Sequence, residues 1–151
     1  MKESNPDVSS LDAIIVALYE VISGDAGKAR DWDRFRHLFC DGARLIPISA
    51  DGLNRREALA VLSPEAYIKR VEPIFATDGF YESEIARTTE SFGSIAHVFS
   101  TYEARRSPAH KDAFLRGINS IQLLFDGNRW WIVTVYWQPE TSDGPIPEKY
   151  L

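Results

Sequence analysis

The chain has 151 residues, 44% hydrophobic and 26% charged, the composition of one globular domain and not of a disordered chain. Its formal charge of −5 disfavours nucleic acid as a partner, since phosphate binding is driven by lysine and arginine, and the pairs Arg55–Arg56 and Arg105–Arg106 sit beside turn residues. The single cysteine, Cys40, excludes an intrachain disulfide and a cysteine-based zinc cluster.

The chain starts with a polar leader that lacks the apolar stretch of a signal peptide. No apolar run approaches the ~20 residues that span a bilayer, so a cytoplasmic protein without membrane contact is expected. After the leader, Ser9 is placed to cap a helix carrying Leu11, Ile14, Ile15, Leu18 and Ile22 at helical spacing, with Asp12 in its first turn and Gly24 as its stop. Asp31 opens a short second helix in which Trp32, Phe35, Leu38 and Phe39 share a face, ended by Asp41–Gly42. Cys40 lies beside its C-terminus, without the positive surroundings that make a thiolate. Ala43 to Ile48 is predicted as a strand leading to a turn at Asp51–Gly52. Ser63–Pro64–Glu65 starts a third helix with Tyr67, Val71 and Ile74 on one face, which Pro73 is expected to kink or end.

From Phe80 onward the apolar period becomes two. Strands are predicted over Phe80 to Ser91 and Ile95 to Arg105 around Phe92–Gly93–Ser94, then over Phe114 to Phe125 and Trp130 to Gln138 around Asp126 to Arg129. A tail with Pro139, Pro145 and Pro147 is expected as an extended strap. Helices first and long hairpins last make the fold class α+β with a mainly antiparallel sheet. In an unbroken register the last hairpin places Phe125 opposite Trp130, Leu123 opposite Ile132, Ile121 opposite Thr134 and Asn119 opposite Tyr136. The other face then holds Trp131, Val133, Val135 and Trp137 with Ile118 and Leu124. Both faces are strongly apolar, so helices are expected to cover one and a second copy of the chain, in a homodimer, the other.

The stretch Arg116 to Trp137, RGINSIQLLFDGNRWWIVTVYW, resembles the closing hairpin of the nuclear transport factor 2-like superfamily, SnoaL-like branch, in its glycine turn followed by Trp130 and Ile132. The order of elements fits along nearly the whole chain. The resemblance implies one domain over residues 1–151, a cystatin-like cone in which a curved sheet wraps the N-terminal helices and leaves a pocket at its open end. Members include isomerases, cyclases, dehydratases and non-catalytic binding or dimerisation modules, so fold alone does not set the function. The catalytic acids of the enzymatic members match no position here.

The chain has no G-x-S-x-G, no Walker loop, no dinucleotide fingerprint and no H-E-x-x-H, and its three histidines are scattered; no cofactor or metal is expected. His97 is the strand residue able to titrate near neutrality. Opposite Glu90, with Thr101, Glu84 and Glu103 on the same face, it is a general base in a cleft, one half of a surface cross-strand ion pair, or a hydrogen-bonded structural histidine. Glu82 and Glu84 have the spacing of a carboxylate pair for acid–base work, or are simply solvated. Asn119 and Tyr136 either bond each other in the core or line a ligand site. Trp32, Phe35 and Tyr67 are core residues that would also wall a pocket for a small hydrophobic or aromatic molecule. Two functions remain open at this point: a small-molecule pocket protein doing cofactor-independent isomerase-, cyclase- or dehydratase-like chemistry, and a non-catalytic ligand-binding or dimerisation module.

Overall fold

The computed structural model describes residues 5–49 and 59–151; the turn expected at Asp51–Gly52 and the Arg55–Arg56 pair lie outside them. A 3-10 turn at Pro6–Val8 leads into helix α1 (Leu11–Ile22), followed by α2 (Trp32–His37), strand β1 (Phe39–Pro47), α3 (Pro64–Thr77) and strands β2 (Tyr81–Phe92), β3 (Ile95–Arg105), β4 (Leu115–Phe125) and β5 (Trp130–Pro139). The five strands form one sheet in the order β1-β5-β4-β3-β2, antiparallel except that β1 runs parallel to β5.

Local chemistry explains most element ends. Ser10, one residue later than expected, caps α1 by accepting from the Ala13 amide at 3.0 Å, while Ser9 closes the preceding turn on the Pro6 carbonyl. Asp31 and Ser63 cap α2 and α3 as their sequences suggest. The second helix is shorter than expected. Leu38 is its cap, and Phe39 to Asp41 already belong to β1, where Gly42 takes a φ of +78° within an irregular stretch of the β1–β5 pairing. Cys40 is therefore a half-buried strand residue whose thiol is pushed up by burial. Pro73 does not end α3. The carbonyl it deprives of a partner belongs to exposed Lys69, and the last turn is anchored by Phe75, stacked between Trp32 and Phe80 with Arg30 over its ring at 4.4 Å.

The decisive departures from the expected register are two single-residue bulges. In β5 the pairing passes from Ile132 opposite Leu123 directly to Thr134 opposite Gln122, so Val133 is extra. Beyond it every side chain changes face: Val135 and Trp137 turn inward, while Thr134 and Tyr136 turn outward. Asn119 accordingly pairs with Trp137, not with Tyr136. In β2 the pairing passes from Glu84 opposite Tyr102 to Ala86 opposite Thr101, so Ile85 is extra, and Glu82 and Glu84 join the inner face.

The inner face packs on α1, which buries Ile14, Ile15, Leu18, Tyr19 and Ile22, and on Phe35 of α2 and Tyr67 and Ile68 of α3. The outer face is partly covered by the chain's own tail. Thr101 donates to the Tyr150 carbonyl at 2.6 Å, the Tyr150 ring packs on Phe99, and Ile146 of the strap is buried. The apolar outer patch expected from the sequence thus loses Val135 and Trp137 to the core and some of its area to the tail. Among the described residues, no helix is long and apolar enough to cross a membrane.

Candidate functional site

Where β1, β2, β4 and β5 meet the three helices, the inner face leaves a cavity of about 70 Å3. It is lined by Leu18, Ile22, Phe35, Leu45, Tyr67, Phe80, Glu82, Asn119, Val135 and Trp137. Its walls are apolar and aromatic, with Tyr67 stacked on Phe35 at 5.3 Å and edge-on to Trp137 at 6.1 Å. Outside it an open groove of about 670 Å3 runs along α1 and the start of β2, and Glu82 lines both spaces.

Glu82 is the ionisable carboxyl among the described residues lining this cavity. It is there because the Ile85 bulge rotates the start of β2 inward. Burial pushes it up to about 8, partly offset by a hydrogen bond from the Asn119 amide. Its charge in turn raises the phenols of Tyr19, Tyr67 and Tyr102, which burial has already raised. The Tyr67 hydroxyl, on a residue 8% exposed, makes no hydrogen bond among the described residues. The Tyr102 hydroxyl is buried without a partner, wedged against Gly117, where any side chain would meet it at 2.4 Å.

A polar chain behind the cavity fixes how Asn119 points. Glu84, held by Arg87, can only accept, so Ser100 must donate to it; the Tyr19 hydroxyl must then donate to Ser100 (2.6 Å) and accept from Asn119 Nδ2 (2.9 Å). The amide nitrogen of Asn119 therefore faces both Tyr19 and Glu82. The chain continues from Arg87 to Asp12 at the surface.

No family model matches the sequence, and no curated protein matches it. Solved structures do match in shape. A nuclear transport factor 2-like protein of unknown function from Pseudomonas putida superposes with a TM-score of 0.63 at 10% identity, over 91% of this chain and 90% of that one. The fold is the nuclear transport factor 2-like cone. A candidate calcium/calmodulin-dependent protein kinase type II association domain from Thiobacillus denitrificans has the same cone, with a TM-score of 0.68 at 14% identity over 89% of this chain and 98% of that one. So does a candidate ketosteroid isomerase from Parabacteroides distasonis, with a TM-score of 0.54 at 14% identity over 92% and 94%. The α+β class and the curved sheet implied by the closing hairpin are those of this cystatin-like cone.

Within the cone the expected site residues separate. Phe35, Tyr67 and Asn119 line the inner cavity. Trp32 does not; it lines a hollow of about 260 Å3 on the far side of the helices, against Phe75. Tyr136 lies on the outer face, turned there by the Val133 bulge, in a shallow hollow with His97, Phe99 and Tyr150. His97 pairs with Glu90 at 3.0 Å, as its register opposite that residue suggests, but both are exposed on the outer face, which removes His97 from the cavity as a base. The residue that sequence reasoning undervalued is Glu82. Its signal was present as the Glu82–Glu84 spacing, but an unbroken register puts both on the solvent side.

Proposed function

We propose that the protein binds a compact, largely apolar small molecule in the inner cavity and moves a proton on it without a cofactor, Glu82 serving as base and then acid. The observation that carries this reading is Glu82 itself, an acid on an otherwise apolar cavity whose burial pushes it up to about 8. A general base is most effective when its affinity for the proton sits near the working pH, and an ordinary surface carboxylate is far too weak a base. Tyr67 is placed to donate to negative charge developing on the substrate, and the locked Asn119 amide steadies ionised Glu82 between the two proton transfers. The isomerase-type neighbour and the SnoaL-like hairpin point in the same direction.

The reading is tested by following solvent-deuterium incorporation into a panel of small enolisable ketones by proton NMR at pH 8. The native protein is expected to accelerate exchange above buffer, and Glu82→Gln to lose about 100-fold or more of that acceleration. Absence of exchange with the native protein, or equal exchange with the variant, refutes it.

A second reading, a dimerisation module, is supported by the outer face, where Ile95 is 65% exposed and Leu124, Phe99 and Tyr136 about 40%. The candidate association domain among the neighbours supports it too. The two readings are compatible, because cavity and outer face lie on opposite sides of the sheet.

A further inference from the structure

We propose that the inner cavity also takes a compact alkylammonium cation, with Glu82 as its counter-ion and Phe35, Tyr67, Phe80 and Trp137 as its walls. The proposal rests on the pocket of the reading above and not on its proton transfer, because Glu82 paired with a cation no longer serves as a base.

Six carboxylates among the described residues are half-buried, and five of them have an arginine: Asp7 with Arg34, Asp78 with Arg106, Glu84 with Arg87, Glu103 with Arg105 and Glu140 with Arg116. Glu82 is the exception, and it is the one facing a cavity. The guanidinium of Arg30, which bears on Tyr67, is not a substitute, because four of its five N–H groups are held by the carbonyls of Ile22, Gly24, Asp25 and Lys28. A buried carboxylate without a cation is costly, and a cation brought by the ligand removes that cost.

The surroundings choose the kind of cation. A metal ion needs several oxygen ligands, whereas this cavity offers one carboxyl among aliphatic and aromatic walls. Aromatic faces and an apolar lining suit an organic cation with a short alkyl body, and about 70 Å3 limits it to a few heavy atoms. The Tyr67 side chain lines the cavity and its oxygen makes no hydrogen bond among the described residues, so it is free to accept from the ammonium. At the entrance, Glu20, Glu82 and Glu84 line the groove against a single lining cation among the described residues, Arg105, which Glu103 already holds at 2.8 Å. That mouth favours positive solutes.

Binding has a proton balance. Protonated Glu82 gives its proton to solvent, the ammonium keeps all of its own, and an ion pair forms. The titratable and charged groups that share a wall with Glu82, or that its charge reaches, are Tyr19 and Glu20 from α1, Tyr67 from α3, Tyr81 and Glu84 on β2, and Tyr102 and Arg105 from β3; β1, β4 and β5 contribute Leu45, Asn119, Val135 and Trp137, none of which titrates. The phenols are all raised further above neutrality, Tyr19, Tyr67 and Tyr102 chiefly by burial and Tyr81 by its bond to Asp25, so between pH 6 and 9 the proton released is that of Glu82.

The test is an NMR titration of the labelled full chain with isobutylammonium chloride and, separately, with its neutral isostere isobutanol, following the backbone and indole signals of Trp137, Tyr67 and Asn119. Isobutylammonium is expected to shift these signals, with an affinity that rises nearly tenfold per unit from pH 6 towards 8 and then levels. Isobutanol should bind at least tenfold more weakly. Glu82→Gln, checked for an otherwise unchanged amide spectrum, should cost at least tenfold, and Tyr67→Phe a smaller factor. If isobutanol binds as well as isobutylammonium, or Glu82→Gln leaves the affinity unchanged, the cation proposal is overturned while the pocket reading stands. If neither molecule moves the cavity signals, both fail.

Discussion

Glu82 sets a sign on the protein's pH dependence opposite to that of most carboxylates. Asp7 and Glu140 are held low by Arg34 and Arg116, so their stabilisation is present at neutral pH and disappears on acidification. Glu82, raised from 4.5 to about 8, keeps its proton in the folded state over a range in which the unfolded chain has lost it. Stability from this group is therefore fully present below pH 4.5 and falls as pH rises to about 8. Urea unfolding of the native protein and Glu82→Gln isolates it, because the other carboxylates cancel in the difference. The two should be nearly equal at pH 4.5, with the variant ahead by roughly 2 kcal/mol at pH 8.5 after allowance for solvent reaching a half-buried group. A difference that does not change with pH would show that the carboxyl is solvated. Its orientation depends on residues it does not touch. In Ser100→Ala the Tyr19 hydroxyl loses its acceptor, Asn119 is free to turn its oxygen towards Glu82, and the midpoint of Glu82 should move up, with Ser100→Thr restoring it.

Helices and hairpin turns were legible in the sequence for good physical reasons. Ser63–Pro64 is a capping hydroxyl followed by a proline already at helical φ, and Asp126 to Arg129 closes a turn in which the Asp126 carboxylate takes the amides of Asn128 and Arg129 at 2.8 Å. The site was not legible, because it depends on two bulges that leave no residue signature: Ile85 and Val133 are ordinary strand formers, with no glycine or proline beside them. A one-residue slip inverts every later side chain, so a register that is right at Phe125–Trp130 and Glu90–His97 is wrong at Trp137 and Glu82. The inversion at Val133 serves burial, since it brings Val135 and Trp137 under the helices, where an unbroken register would bury Thr134 and Tyr136, whereas the inversion at Ile85 turns Glu82 and Glu84 inward. Deleting Val133 should therefore force Val135 and Trp137 outward and cost on the order of 3–5 kcal/mol in unfolding free energy, as for exposing two large apolar side chains. A deletion variant of native stability would show that the bulge is incidental.

At the scale of the molecule the sheet has two unlike sides. The inner side is closed by helices around one acid; the outer is half covered by the strap that ends at Tyr150, leaving Ile95, Leu124 and Tyr136 in contact with water. We propose that a second copy covers what the strap leaves open. Sedimentation at micromolar concentration is expected to give a dimer, and Ile95→Lys with Leu124→Lys a monomer whose fold and cavity are unchanged; a native monomer would remove the dimer and leave the cavity reading intact. The claim on which the account turns is that Glu82 carries a proton inside the cone near neutral pH. Carbon-13 NMR titration of the glutamate carboxyls, with the Glu82 signal assigned by its loss in Glu82→Gln, measures this directly. One carboxyl is expected with a midpoint at about 8, and a Glu82 signal that titrates with the surface carboxylates, near 4.5, would contradict a buried, protonated Glu82.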